Sequence, residues 1–222
     1  MRIYERALEL VPDGGVVGLG SGRAATAFVQ TLAERMRTTG LKVRGVATSE
    51  ATADLAQQVG IPLVSLAEAG ILDIAIDGAD EVDPALNLIK GYGRALVREK
   101  IVAASARQMV VLVGQEKIVP RLGTRGKLPI EVLEFAIPLC QRRLAALGCR
   151  PVPFLVHGRL FRSDNGNPIL DCQIGPIDDP EKLERDLRAI PGVIGTGLFL
   201  GMAGRVLVGD RDTFELVEER VR

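Results

Sequence analysis

Residues 73–81, Asp-Ile-Ala-Ile-Asp-Gly-Ala-Asp-Glu, leave this chain few ways to fold. A short apolar run that ends at Asp77 and breaks on Gly78-Ala79 has the pattern of a parallel strand buried on both faces. In an open α/β sheet the carboxyl ends of such strands are where ligands bind, so Asp77 is expected at a chemical edge. Downstream, Asp80, Lys90-Gly91-Tyr92-Gly93, Glu99 and Lys117 recur at the ends of consecutive strand and helix patterns. Taken singly, Asp-Gly is turn chemistry and each charge fits a solvated surface. Their joint spacing predicts a site.

The chain before this segment supports the same class. Residues 2–11 have helical spacing and are broken by Pro12-Asp13-Gly14-Gly15. Val16-Val17-Gly18-Leu19-Gly20 reads as a strand running into Ser21-Gly22-Arg23-Ala24, with a helix over 25–37. A glycine-rich strand-to-helix turn presents backbone N–H groups to an anion, and Ser21 and Arg23 add a hydroxyl and a cation. A tight turn without a ligand is the alternative. The dinucleotide fingerprint is not met, because Arg23 replaces its third glycine and no acid ends the next strand, 43–47, which runs through Thr48-Ser49-Glu50 into another helix. A small phosphorylated molecule fits better than a nucleotide. A helix to Val59 and a short strand over 61–66 are expected next.

The helical stretch 94–107 places Glu99 among small apolar residues. At about 100° per residue, Ala95, Leu96, Val102, Ala103 and Ala106 fall near it, and Val97, Ile101 and Ala104 fall opposite, so burial on two faces is expected. A carboxylate on such a face needs a partner or a task, and desolvation pushes it toward the range of a general base. A structural ion pair is the competing account. The apolar strand 109–114 then delivers Lys117, as a substrate contact or an exposed turn lysine.

The composition excludes much else. Lys and Arg number 28 and Asp and Glu 28, so no basic excess points to nucleic acid or an anionic membrane. No apolar run reaches the roughly 18 residues of a membrane span and no signal sequence opens the chain, so a cytoplasmic location is expected. Three cysteines without CxxC spacing and a single histidine, His157, offer neither a disulfide framework, a thiolate zinc site nor a histidine-based triad. Carboxylates and lysines are left for acid–base work.

Beyond a Gly-, Arg- and Lys-rich loop at 120–129 the pattern changes. A helix over 132–147, a strand over 152–156, strands flanking the Asp164-Asn165-Gly166-Asn167 turn, a helix over 180–190 and a strand over 193–200 suggest a small antiparallel α+β domain, with Asn-Gly as a hairpin signal. A strand over 205–208 and a last helix over 213–221 return to the main sheet. The expected division is 1–129, 130–204 and 205–222.

With these residues assembled, the chain resembles the ribose-5-phosphate isomerases of the A type over almost its whole length. The resemblance rests on Gly18-Leu19-Gly20-Ser21-Gly22, Thr48-Ser49, Asp77-Gly78-Ala79-Asp80-Glu81-Val82-Asp83, Lys90-Gly91, Arg98-Glu99-Lys100, the Asp164–Asp171 region and Ile190-Pro191-Gly192-Val193. It implies a Rossmann-like α/β domain with an inserted ferredoxin-like α+β domain, a homo-oligomer, a dimer or a tetramer, and metal-free, cofactor-free interconversion of D-ribose 5-phosphate and D-ribulose 5-phosphate. By position Glu99 matches the proton-transferring base. Asp77, Gly78, Ala79 and Asp80, Lys90, Gly91, Tyr92 and Gly93, and Lys117 match substrate-contacting positions, while Ser21, Gly22, Arg23, Ala24 and Ser49 stand where phosphate is held. Asp77 and Lys90 are expected to share ring opening, and Asp80 to orient Lys90. The first loop reads Gly20-Ser21-Gly22-Arg23-Ala24 where the family usually has Gly-Thr-Gly-Ser-Thr, and Tyr92 and Arg94 replace glycines. A sugar-phosphate-sensing module and a related deaminase or transferase are the competing classes. The first lacks a helix-turn-helix output, and the second fits one histidine and the Asp77–Asp83 segment less well.

Overall fold

The computed structural model describes residues 1–222. In chain order the elements are α1 (Ile3–Leu8), β1 (Val16–Leu19), α2 (Arg23–Thr39), β2 (Arg44–Ala47), α3 (Glu50–Gln58), α4 (Leu66–Ala69), β3 (Ile74–Gly78), β4 (Glu81–Val82), β5 (Leu88–Ile89), α5 (Leu96–Ala104), β6 (Met109–Gly114), β7 (Lys127–Val132), α6 (Ile137–Ala146), β8 (Arg150–Pro153), β9 (Leu155–Val156), β10 (Arg159–Leu160), β11 (Ile169–Gln173), α7 (Pro180–Arg188), β12 (Val193–Thr196), β13 (Leu198–Phe199), β14 (Ala203–Gly209) and β15 (Leu216–Val221). They fall into two compact units: Met1–Ala79 with Arg98–Lys117 and Gly201–Arg222, and Asp80–Val97 with Ile118–Leu200.

The first unit is built on a six-stranded sheet of order β15-β14-β6-β3-β1-β2. All pairs are parallel except β14–β15. Side chains alternate across the sheet. Val17, Leu19, Ile74 and Ile76 join Phe28, Val29 and Leu32 of α2 in one core. Val16, Val46 and Ala75 pack on the other face with Val102 of α5. The stripe Ala25, Phe28, Val29, Leu32 is the i, i+3, i+4, i+7 pattern that turns α2 toward the sheet. Every residue of β6 is buried, as a strand between two parallel neighbours must be.

The second unit contains a four-stranded antiparallel sheet of order β12-β7-β11-β8. With α6 between β7 and β8 and α7 between β11 and β12, this is the β-α-β-β-α-β ferredoxin-like arrangement. Leu128, Ile130 and Val132 of β7, Leu170 and Cys172 of β11, and Leu144 and Leu187 of the helices form its core. A three-stranded sheet β13-β5-β4 lies in the same unit.

Several expectations are corrected. Residues 213–221 form no helix: Asp210 Oδ1 accepts hydrogen bonds from Asp212 N, Thr213 N and Thr213 Oγ1, and the chain reverses into β15, antiparallel to β14. The strand expected over 61–66 is a single bridge, Leu63 to Gly45, because Pro62 has no N–H to extend a ladder and Ser65 and Glu68 form a capping box that starts α4. The loop and helix expected across 120–147 give way to β7 before α6. Pro129 reads as a breaker, yet its carbonyl accepts from Gly197 N at 2.8 Å and its neighbours Leu128 and Ile130 fill the core. The strand expected over 193–200 is split at Gly197 into β12 and β13. The Asn165-Gly166 turn joins no hairpin, since β11 pairs with β7 and β8. Asn165 and Asn167 instead donate to Glu131 Oε1, each at 3.1 Å. The two-residue hairpin is at His157 (φ 50°) and Gly158 (φ 74°), between β9 and β10. Finally, α5 is buried on one face only: Glu99 is 4% exposed, but Ile101 is 46% exposed.

Candidate active site

In the first unit the ends of β1 and β3 lie level, with Leu19 opposite Ile76. Gly20 N donates to Ile76 O at 2.9 Å and carries the ladder one residue further. Asp77 then closes the edge. Its Oδ1 accepts from Ser21 N at 3.0 Å and Gly78 N at 2.7 Å, and the residue is 3% exposed. This is possible because position 20 has no side chain: a Cβ there would lie 2.3 Å from the Asp77 carboxyl. Ala79 follows directly on Gly78.

Around Ser21 the structure gathers hydroxyls. Ser21 Oγ lies 2.9 Å from Thr48 Oγ1, 3.0 Å from Ser49 Oγ and 3.3 Å from Thr52 Oγ1. The cluster is tied to the carbonyls at and just past the end of β1, Thr48 Oγ1 donating to Leu19 O at 2.9 Å and Thr52 Oγ1 to Gly20 O at 3.0 Å. Ser49 is also the N-cap of α3, accepting from Thr52 N. Gly22, with φ 89°, begins α2; no side chain caps that helix and no acid lies in its first turn, so the amides of Arg23 and Ala24 open the positive end of the helix. The Arg23 guanidinium does not turn back over this loop. It donates to Arg211 O at 3.0 Å and stands 4.9 Å over the Phe214 ring.

Glu99 lies on the buried face of α5, with Ala95, Leu96, Val102 and Ala103 also buried. Lys117 ends the 3-10 turn Gln115–Lys117 at the carboxyl end of β6 and is half-buried. Both thus arise from elements that meet the parallel sheet.

In the second unit, Lys90 is 3% exposed, its N donates to Gly197 O at 2.9 Å and its Nζ stands 5.5 Å from the Phe199 ring centroid. Gly91 has φ 103°. Tyr92 N donates to Asp80 Oδ2 at 2.9 Å, and Tyr92 Oη to Lys127 O at 3.1 Å. Burial, then the nearby Asp80 carboxylate, pushes the Tyr92 phenol far up, so it stays a donor. Gly93 leads into Arg94, whose guanidinium is bonded to Asp171. Glu81 is fully buried and accepts from Gly123 N at 2.6 Å and Arg125 N at 2.7 Å. Burial raises its pKa in spite of these bonds.

Each unit therefore gathers its own share of the expected residues: Ser21, Ser49 and Asp77 at one strand edge, and Asp80, Lys90 and Tyr92 around one loop. The chemistry on offer is an anion seat of helix amides and hydroxyls, buried carboxylates, and a buried lysine. The sequence reading does not mark Thr52; it holds Glu81, Arg94 and Asp171 only as motif positions without a role, and Thr48 only as part of the Thr48-Ser49 pair. The spacing of Thr52 one turn after the cap residue Ser49 was the signal available for it.

A profile of the ribose 5-phosphate isomerase A (phosphoriboisomerase A) family matches residues 44–213. The chain belongs to that family. It is 52% identical over 213 residues to the ribose-5-phosphate isomerase A of Roseiflexus castenholzii, covering 95% of this chain and 91% of that one. It is 49% identical over 214 residues to that of Thermomicrobium roseum, covering 96% and 90%. Among solved structures, the ribose 5-phosphate isomerase A of Methanocaldococcus jannaschii superposes with a TM-score of 0.93 at 39% identity, covering 100% of this chain and 97% of that one. A D-ribose-5-phosphate isomerase in complex with phospho-erythronic acid gives 0.94 at 37% identity, covering 99% and 96%. Membership makes this chain an aldose–ketose isomerase, and the Rossmann-like sheet with its ferredoxin-like partner is the family's fold. No helix is long and apolar enough to cross a membrane.

Proposed function

We propose that the protein interconverts D-ribose 5-phosphate and D-ribulose 5-phosphate in the non-oxidative pentose phosphate pathway by carboxylate-mediated proton transfer. The observation that carries the mechanism is Glu99, a carboxylate 4% exposed on the helix face packed toward the sheet, in a chain of this family. The Glu99 carboxylate removes the proton from C2 of the open aldose and returns it to C1 on the same face, while the C2 hydroxyl proton passes to the C1 oxygen. The intermediate is an enediolate.

The α2 amides at Arg23 and Ala24, with Gly22, Ser21 and Ser49, hold the phosphate, since helix N-termini and hydroxyls complement an anion. Asp77 and Lys90 share ring opening, one taking the anomeric hydroxyl proton and the other delivering a proton to the ring oxygen as its bond to C1 breaks. Lys90 and the amides of Gly91, Tyr92 and Gly93 stabilise the enediolate oxygen, a term worth ~3–4 kcal/mol per donor in comparable sites. Asp80 orients Lys90 through the loop it holds at Tyr92 N. Gly78, Ala79 and Lys117 complete the substrate contacts. A cytoplasmic homodimer or homotetramer is part of the reading. The test is isomerisation by purified protein in deuterium oxide with excess chelator. Conversion to the ketose is expected with the chelator present, with deuterium at C1 to the extent that the proton held on Glu99 exchanges with solvent before it is returned. Binding without conversion favours a sensing role instead.

A further inference from the structure

The Lys90 loop ends in an unusual anchor. Arg94 has φ 72°, a left-handed conformation uncommon for a side-chain-bearing residue, and its N closes a turn onto Gly91 O at 3.0 Å. Its side chain is held at both ends. Arg94 Nη1 and Nη2 donate to Asp171 Oδ1 and Oδ2 at 2.6 and 2.9 Å, a two-pronged pair in which the side chains are only 12% and 18% exposed. The guanidinium carbon lies 3.6 Å from the centroid of the Phe154 ring, which is itself fixed edge-on by Phe161 at 5.4 Å. Asp171 sits in β11 with Val152 of β8 on one side and Pro129 of β7 on the other, so the acceptor belongs to the middle of a sheet. Lys127 Nζ, 3.9 Å from Asp171 Oδ2, lies 3.9 Å from the Tyr92 ring and extends the same anchor to the loop's centre.

We propose that Arg94 is a positioning residue for catalysis: its fork on Asp171 and its stack on Phe154 fix the far end of the loop that begins at Lys90. The proposal rests on the reading that this loop contacts the substrate. A surface ion pair would add little. This one is largely shielded, is doubled by a stacked ring, and holds a left-handed residue directly after the three consecutive amides of Gly91, Tyr92 and Gly93. Those amides stabilise charge only if they are already in place when charge develops. Lysine at 94 keeps the charge but cannot form the fork or the stack.

The experiment compares wild type, Arg94→Gly, Arg94→Lys and Lys90→Ala by steady-state kinetics with D-ribose 5-phosphate and by amide hydrogen exchange over residues 91–95. Glycine accepts φ 72° without strain, so Arg94→Gly removes the anchor while leaving the backbone free to keep its shape. The expected result is faster exchange at 91–95 and a fall in kcat of about 10- to 100-fold with KM changed less than about threefold, Arg94→Lys lying between. Turnover lost in Lys90→Ala but intact in Arg94→Gly overturns the positioning role. Unchanged exchange in Arg94→Gly overturns the anchor itself. Full turnover in Lys90→Ala overturns the underlying reading of the loop.

Discussion

At the scale of single residues, the account turns on where a side chain is absent as much as on where one is present. Gly20 lets the Asp77 carboxyl reach Ser21 N, and its replacement by alanine puts a methyl 2.3 Å from that carboxyl. Gly20→Ala is therefore expected to lower kcat/KM about 100-fold by displacing Asp77, measured on folded protein. Wild-type activity would show that this placement is not needed. Glu81 offers a test by pH. Burial raises its folded pKa above the ordinary 4.5, so the stability it contributes is fully present below 4.5 and is lost as pH rises through the higher folded value. The denaturant midpoint of wild type should fall relative to that of Glu81→Gln as pH is raised from 4.5; a difference that stays constant would mean that Glu81 is not perturbed by folding. Of these residues Asp77 was legible in the sequence because it ends an apolar run. For Thr52 the cap spacing from Ser49 was the one local signal, and it takes the parallel register of β1 and β2 to bring its hydroxyl to Ser21.

At the scale of elements, strong periodicity was readable and exceptions to local rules were not. The apolar stripe of α2 and the unbroken apolar run of β6 announced themselves. By contrast, β7 carries a proline and β15 reads Leu-Val-Glu-Glu-Arg-Val, good helix-forming chemistry that tertiary pairing with β14 overrides. The paired cores also rest on tight turns between elements. Gly192, with φ 95°, precedes β12, and a Cβ there would stand 2.2 Å from Ala136 Cβ. Gly192→Ala is expected to cost about 2–4 kcal/mol from the left-handed backbone and the clash together, read from urea unfolding. A loss under half a kcal/mol would mean that the turn relaxes at almost no cost.

At the scale of the whole molecule, the chain leaves the parallel sheet after β3, rejoins it at β6, leaves it again, and returns at β14, which pairs with β6 across the long intervening segment. The two classes of sheet were legible from the change in pattern along the sequence, while the allocation of residues 80–97 to the second unit was not, because β4 and β5 are too short to leave a periodic signal. Glu99 is the residue on which the reading of the molecule as a carboxylate-driven isomerase depends. The decisive measurement is turnover and binding of D-ribose 5-phosphate by Glu99→Gln beside the wild type, in excess chelator. Glutamine keeps the shape and removes the base, so substrate binding within about threefold of wild type and kcat reduced by about three orders of magnitude or more are expected. Turnover within about tenfold of wild type would contradict the account and move the proton transfer to another group.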